Sequence, residues 1–488
     1  MRVLVIHQNF PGQFGHLVKT WAQRPGWDVR ALGRDTAPGL PGFDRLLRYG
    51  LARRGHPQQH AYLRQMEAAT LHGQAAARAM LQLKRSGFVP DVIMAHPGWG
   101  ETLYAKDVYP DARLVHLCEW YYSADGADLG FDPEFPLTFD DRARVRTWNA
   151  LHTLNLTNCD AAVSPTHWQR SRHPEIFQPK IVVQHEGIAT HALAPDPAAS
   201  ITTPSGVVLK AGDPVITYVA RNLEPYRGFH IFMRALDRIQ KMHPRCHAVI
   251  VGGDEVSYGK RPKDAANWRQ HMLREVKLDA TRTHFLGRVP YAQYLRVLQV
   301  SAAHVYLSYP FVLSWSMLEA MACGVLVIGA DTAPVREVIR SGENGRLAGF
   351  FDVQAIAQTV VETLNNRGVQ LPMRRQACAD AQSYNLDAGV VGYDRLLGCI
   401  ETVSAGEGGG AGNSKQQTAS PLEFNDRERE LLQLLSAGYS NEKIAELRNR
   451  SPATVRNQLS TLYQKLGVAR RTEALAKATA LNIRESKS

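Results

Sequence analysis

Short apolar runs recur through the chain up to Ala330, separated by longer amphipathic stretches. That alternation is the pattern of parallel sheets with crossover helices, because a strand buried on both faces reads as a continuous apolar run. The runs fall into two series. RVLVI, DVRAL, DVIMAH, RLVHL and AAVSP make the first; PVITYVA, HAVIVGG, HFLGRV, AHVYLS and VLVIGA make the second, after a Pro-rich, poorly periodic segment from Ala194 to Pro214. The expected architecture is α/β: two tandem Rossmann-like domains over residues 1–195 and 205–402, with a ligand cleft at the strand carboxyl ends.

Beyond them, SAGEGGGAGNSKQQTASP, from Ser404 to Pro421, is almost wholly small and polar. Such a segment cannot repay the entropy of ordering, so residues 404–421 read as a flexible linker. A coil of that length spans roughly 21 to 25 Å root mean square. Residues 422–488 then form a separate, small all-α domain. The longest apolar stretch, Ala320 to Ala330, falls short of the roughly 20 residues that cross a bilayer. The apolar run that opens the chain breaks at His7, unlike a secretory leader, so a cytoplasmic location is expected. Six cysteines without a CxxC pair argue for neither zinc nor thioredoxin-like chemistry. The formal charge of +11 suits an anionic partner without choosing among nucleotide, lipid head group and nucleic acid.

After the first strand, HQNFPGQFGHL places Gly12 and Gly15 where backbone N–H groups can approach a phosphate or substrate. The spacing is not GxGxxG, and no acid is seen closing the second strand, which disfavours a dinucleotide-binding dehydrogenase. In ARNLEPYRGF, Arg221 and Arg227 share one loop before an amphipathic helix, a diphosphate site unless both are solvated surface arginines. VIVGGD ends a strand at Gly252 and Gly253, again permitting close backbone approach. SYPFVLSWSMLEAMACG puts Glu319 on the first turn of a helix that ends at Gly324, where it either accepts hydrogen bonds from a sugar diol such as ribose or pairs with the helix dipole. His96 of AHPGWGE, and His116 or Glu119 of VHLCEWYY, sit at strand ends facing the inferred cleft. Glu119 and His96 rank first, because neighbouring aromatic faces suit sugar stacking.

These motifs resemble the family 4 retaining glycosyltransferases of GT-B fold over roughly residues 1–402. HEGI at His185 to Ile188 is similar to the segment closing the family's first domain, ARNLEPYRG to its phosphate loop, and FLGRVP with LEAMACGVLVIGADTAPVREVI to its donor-binding half. The resemblance implies that Arg221 and Arg227, the latter in place of the usual Lys, hold the diphosphate of a nucleotide sugar, and that Glu319 is the second glutamate of an EX7E motif. The first glutamate is replaced by Phe311, removing a carboxylate that in the family contacts the transferred sugar; Ser314 and Ser316 are expected substitutes. The implied reaction is sugar transfer with retention to a sugar, lipid or small-molecule acceptor, without a cofactor or a metal, in keeping with the lack of a DxD pair.

The tail, NDRERELLQLLSAGYSNEKIAELRNRSPATVRNQLSTLYQKLG, has caps at Asn425 or Asp426, at Ser440 or Asn441, and at Ser451 with Pro452. Its periodicity turns Val455, Leu459 and Leu462 to a core and leaves Arg456, Asn457 and Ser460 outward, as in a helix-turn-helix. It resembles the LuxR-type (GerE) DNA-binding domain, and that match implies that Thr454, Arg456 and Lys465 face DNA. Arg448 and Arg450 fall in the turn, where they either snorkel toward phosphates or weaken the core. The expected protein is thus a glycosyltransferase fused to a DNA-binding module that binds DNA better as a homodimer. The alternatives are a transcriptional regulator whose degenerate transferase half senses a nucleotide sugar, and an enzyme whose tail only oligomerises.

Overall fold

The computed structural model describes residues 1–125, 127–366, 368–398, 426–436 and 439–448, with 454, 455, 458, 459 and 462. The chain divides into two compact units, Met1–Val403 and Ser404–Ser488. The larger unit holds two wholly parallel sheets. The first contains β1 (Arg2–Ile6), β2 (Asp28–Arg34), β3 (Leu46–Tyr49), β4 (Val92–Ala95), β5 (Arg113–Leu117), β6 (Ala161–Ser164) and β7 (Ile181–Val183), in the order β3-β2-β1-β4-β5-β6-β7. After a two-stranded antiparallel hairpin, β8 (Ser200–Thr202) with β9 (Val208–Lys210), the second contains β10 (Val215–Asn222), β11 (His247–Gly253), β12 (Thr283–Gly287), β13 (Ala303–Tyr306), β14 (Leu326–Ala330) and β15 (Arg346–Ala348). Its order is β12-β11-β10-β13-β14-β15. All ten apolar runs are strands, and both sheets are doubly wound as expected. The segment read as merely poorly periodic contains the hairpin.

Burial on both faces explains the unbroken apolar runs. In β1, Val3 and Val5 pack with Phe14, Trp21 and Tyr393, while Leu4 and Ile6 face Met80 and Tyr109. Two pieces of chain tie the halves together. The helix Leu386–Leu397 returns to the first half, where Asp394 accepts hydrogen bonds from the Trp21 indole at 2.9 Å and from Arg24 at 2.9 and 2.6 Å. In the other direction, the loop after β5 enters the second half. Trp120 and Ala127 join its core, Phe131 stacks on Phe351, and Asp132 accepts the Tyr309 hydroxyl at 2.6 Å. In this loop the aromatic residues follow no regular period, so sequence periodicity had no hold on it.

β2 runs to Arg34, past the DVRAL run, and Asp35 follows at once. An acid does therefore close the second strand. Asp35 pairs with Arg34 at 3.3 Å and accepts the Thr36 N–H.

Candidate active site

Loops at the carboxyl ends of β1, β4, β5 and β6 in one sheet, and of β10, β12 and β13 in the other, surround a cavity of about 1120 Å³. This is where a doubly wound fold places its ligands, since the strands end there and the loops are free to vary.

On the first-sheet side a chain of hydrogen bonds orients one carboxylate. The Asn9 N–H bonds to His7 Nδ1 at 3.0 Å, which leaves His7 Nε2 to donate to Gln13 Oε1 at 3.0 Å. Gln13 Nε2 then donates to Glu119 Oε1 at 2.9 Å. The Gly98 N–H likewise bonds to His96 Nδ1, so His96 Nε2 donates to Glu119 Oε2 at 3.2 Å. Burial works to raise the Glu119 carboxyl, but the bonds from His96 and Gln13 outweigh it and hold the group below its usual range. Burial, with His96 nearby, pushes His7 down to about 3, so His7 is neutral. Gly12 turns at φ +51°, and a Cβ there would meet His7 Nε2 at 2.2 Å. The glycine is thus required by the histidine beside it. Trp99 spends one face on His96, at 4.3 Å between centroids, while Trp120 and Tyr122 also line the cavity.

The second-sheet side is cationic and aromatic. Arg221, the last residue but one of β10, is exposed, lines the cavity, and makes no ion pair among the described residues. Arg227 donates to Ser308 Oγ at 3.0 Å and to the Val312 carbonyl at 2.8 Å, with its guanidinium over the rings of Tyr258 and Phe311. All these partners are uncharged. The following Gly228 takes φ +71° before the helix Phe229–Met242, and a Cβ there would lie 2.3 Å from that of Leu307. The one acid of this loop, Glu224, also lines the cavity, where its carboxylate accepts the N–H groups of Ser257, Tyr258 and Gly259. Phe311 is buried among Trp120, Tyr226 and Tyr258 at centroid distances of 4.9, 5.6 and 5.0 Å.

The cavity gathers Gly12, His96, Glu119, Arg221, Arg227 and Ser314, but several expected residues lie outside its lining. Gly15 begins the helix Gly15–Ala22 with ordinary helical dihedrals. Gly252 and Gly253 close β11, where a Cβ on Gly253 would meet Asn222 Oδ1 and Arg288 Nε at 2.6 and 2.7 Å. Gly253 thus admits the close passage of Arg288, and Gly252 that of the Ala220 carbonyl and Leu223. Ser314 caps the helix Trp315–Ala322, and Ser316 is buried beneath it. Glu319 is the fifth residue of that helix, not in its first turn, so the dipole explanation fails. Its oxygens accept the hydroxyls of Tyr291 at 3.0 Å and Tyr294 at 2.6 Å. His116 is wholly buried instead of facing the cleft, and burial pushes it down to about 3. His7, Gln13, Tyr258 and Arg288 went unread; all but Tyr258 stand in the HQNFPGQFG and FLGRVP segments already singled out.

Among the described residues one group, Asp132, Glu134 and His230, has ligand atoms within 4.8 Å of one another. It lies outside the cavity lining, and Arg234 occupies both Glu134 oxygens.

In the smaller unit, Ser440 caps the helix Asn441–Leu447. Val455, Leu459 and Leu462 are buried with Leu431, Leu432, Leu435 and Ile444, as their periodicity predicts. Arg448 neither snorkels to solvent nor disturbs the core: it pairs with Glu430 at 3.1 Å and bonds Gln458 at 3.0 Å. Thr454 is described; Arg450, Arg456, Asn457, Ser460 and Lys465 lie outside the described residues, as does the linker.

Two doubly wound halves facing each other across such a cavity define the GT-B class. Residues 25–193 match the model of the glycosyl transferase family 4 group, residues 203–382 that of glycosyl transferases group 1, and residues 423–478 that of the luxR family of bacterial regulatory proteins. A GDP-mannose-dependent mannosyltransferase of Mycolicibacterium smegmatis is 26% identical over 42% of this chain and 53% of its own length. The glycogen synthase of Mycobacterium tuberculosis is 26% identical over 75% of this chain and 86% of its own. The tail is 44% identical to the regulator MalT of Yersinia pestis, over 13% of this chain and 7% of that one. Among solved structures, sucrose-phosphate synthase from Thermosynechococcus elongatus shares the fold at TM-score 0.62 and 15% identity, covering 82% of this chain and 98% of that one. HepE from Anabaena, in complex with UDP and glucose, does so at TM-score 0.58 and 17% identity, covering 82% and 100%. The chain joins glycosyltransferase domains of GT-B architecture to a LuxR-family DNA-binding domain.

Proposed function

We propose that the larger unit transfers a glycosyl group from a nucleoside-diphosphate sugar to a hydroxyl-bearing acceptor, and that the tail directs the protein to DNA. The observation that carries this reading is the pair Arg221 and Arg227, which line the cavity and form no ion pair with a carboxylate among the described residues. Two uncompensated guanidinium groups suit a diphosphate, and they stabilise the charge that develops on it as its bond to the anomeric carbon breaks. Their charge can do the work of a divalent ion, so metal-independent transfer is expected; retention of configuration is what the family resemblance implies. Glu119, fixed by Gln13 and His96, is positioned to accept hydrogen bonds from hydroxyls of the sugar or the acceptor. UDP-glucose and GDP-mannose are the first donors to try, given the ligands named for HepE and the mannosyltransferase. The acceptor is a sugar, a lipid or a small molecule. A cytoplasmic location, where nucleotide sugars and DNA meet, and a homodimer on DNA complete the reading.

A second reading, a regulator that senses a nucleotide sugar without turning it over, draws on Phe311, whose aromatic surroundings replace a carboxylate at the cavity wall. Incubating the full chain with a panel of nucleotide sugars separates the two. Release of nucleoside diphosphate supports the enzyme, and tight binding without release supports the sensor. For the tail, titrating the full chain against duplex DNA at two salt concentrations should give affinity that falls steeply with salt. No binding at low salt would leave oligomerisation as the tail's role.

A further inference from the structure

Two departures from the family's pattern, Phe311 for a glutamate and Arg227 for a lysine, stand side by side at the cavity wall. The Arg227 guanidinium carbon lies 5.9 Å from the centroid of the Phe311 ring and 5.5 Å from that of Tyr258, both within reach of a cation–π interaction. Neither ring is loose. Phe311 is buried and packs edge-on against Tyr258 at 5.0 Å and against Trp120, which the first half contributes, at 4.9 Å. The hydrogen bonds of Arg227 to Ser308 Oγ and to the Val312 carbonyl both leave from Nη1, so the edge made by Nη2 and Nε remains for a ligand. Bonds from one nitrogen hold a guanidinium by a corner; its plane is set by the faces it lies against. Phe311 and Tyr258 supply those faces.

The two departures make sense together. A carboxylate carried on the Cα of residue 311 could approach Arg227 closely enough to pair with it, since opposite charges act on each other within about 4 to 6 Å, and would take charge that a diphosphate needs. A ring attracts the cation without neutralising it. An ammonium has no plane for rings to orient, whereas a guanidinium does. We infer that Phe311 and Tyr258 are positioning residues for the diphosphate: they hold Arg227 in the plane in which Nη2 and Nε meet phosphate oxygens, and Phe311 in place of a glutamate leaves the charge of Arg227 to the ligand. The inference rests on the reading of Arg227 as a diphosphate ligand. It gives Phe311 a part in nucleotide binding whether the bound sugar is transferred or only sensed.

The test is calorimetric titration of the full chain with UDP, GDP and inorganic diphosphate, the last of which carries neither base nor sugar. Phe311→Leu and Tyr258→Leu should each weaken, by about fivefold or more, every one of these that binds the wild type. Phe311→Tyr and Tyr258→Phe keep a ring and should stay close to the wild type. Tyr258 is 42% exposed, so its replacement leaves the fold intact and the test stands even where Phe311→Leu does not fold. Phe311→Glu should bind more weakly than Phe311→Leu, because its carboxylate pairs with Arg227. In an Arg227→Ala background the same leucine substitutions should change affinity by less than about twofold, since residues that act through one another are not additive. Affinity indifferent to Tyr258→Leu and Phe311→Leu, or an equal loss with and without Arg227, overturns the positioning role. The reading it rests on fails differently: Arg227→Ala itself would then leave affinity unchanged, or the wild type would bind none of the three.

Discussion

At the residue scale, the proposed function rests on two arginines that form no ion pair among the described residues. Arg221→Ala and Arg227→Ala should each weaken nucleoside-diphosphate binding by about 1.5 to 3 kcal/mol, the worth of a charge-assisted hydrogen bond. Equilibrium titration against the wild type checks this, and unchanged affinity in both would remove the phosphate assignment. Gly228→Ala should mimic the Arg227 loss without touching a charge, because a left-handed residue pressed against Leu307 cannot accept a Cβ without moving the loop. Glu319 is a different kind of residue. Holding Tyr291 and Tyr294, it is buried, and burial, partly offset by these tyrosine bonds, raises its carboxyl. Glu319→Leu should therefore cost about 1 to 3 kcal/mol in a denaturant melt by stranding two hydroxyls.

At the element scale, the returning helix Leu386–Leu397 decides whether the halves stay matched. Tyr393 is wholly buried in the core of the first half, and Gly389 lies so close to the Glu186 carbonyl that a Cβ would sit 2.0 Å from it. Tyr393→Ala should destabilise by about 3 to 5 kcal/mol, as large aromatic deletions do. Gly389→Ala should push the helix off its seat and lower the melting temperature although alanine favours helices. Both are read by thermal melts of the full chain. A Gly389→Ala protein as stable as the wild type would show that the helix is not tightly seated.

For the whole molecule, buried histidines set the response to acid. Burial holds His7, His116 and His152 down to about 3 and His16, His173 and His304 to about 4. Below pH 6.5 the unfolded chain takes up protons at these sites while the native state does not, so stability falls as pH drops from 6.5 toward 4. Asp128, raised to about 6 by burial, works the opposite way, gaining stability as pH falls through that value. The histidines outnumber it. Urea unfolding at pH 7.5, 6.5 and 5.5 should show a loss of at least about 1 kcal/mol between the last two, one histidine's contribution over that interval. A flat profile would mean that these histidines are solvated or paired.

Much of this protein was legible before any fold was known, because local physics carried it. Strands buried on both faces must be continuous apolar runs, so the parallel sheets could be read directly from RVLVI to VLVIGA. Val455, Leu459 and Leu462 declared the core of the tail by helical spacing alone. Arg221 and Arg227 showed themselves because both stand in the one short segment ARNLEPYRGF, at the end of a strand and in the turn that follows it. Other features depend on residues far apart in the chain. Whether Glu319 faces a ligand or two tyrosines is settled by the packing of the helix Tyr291–Val300, some 25 residues away. Glu119 acquires its orientation from Gln13, 106 residues earlier, and Asp394 finds its partners 370 and 373 residues back. Apolar periodicity reports which face of an element is buried; only the tertiary structure decides what that face, or a polar group at its end, is buried against.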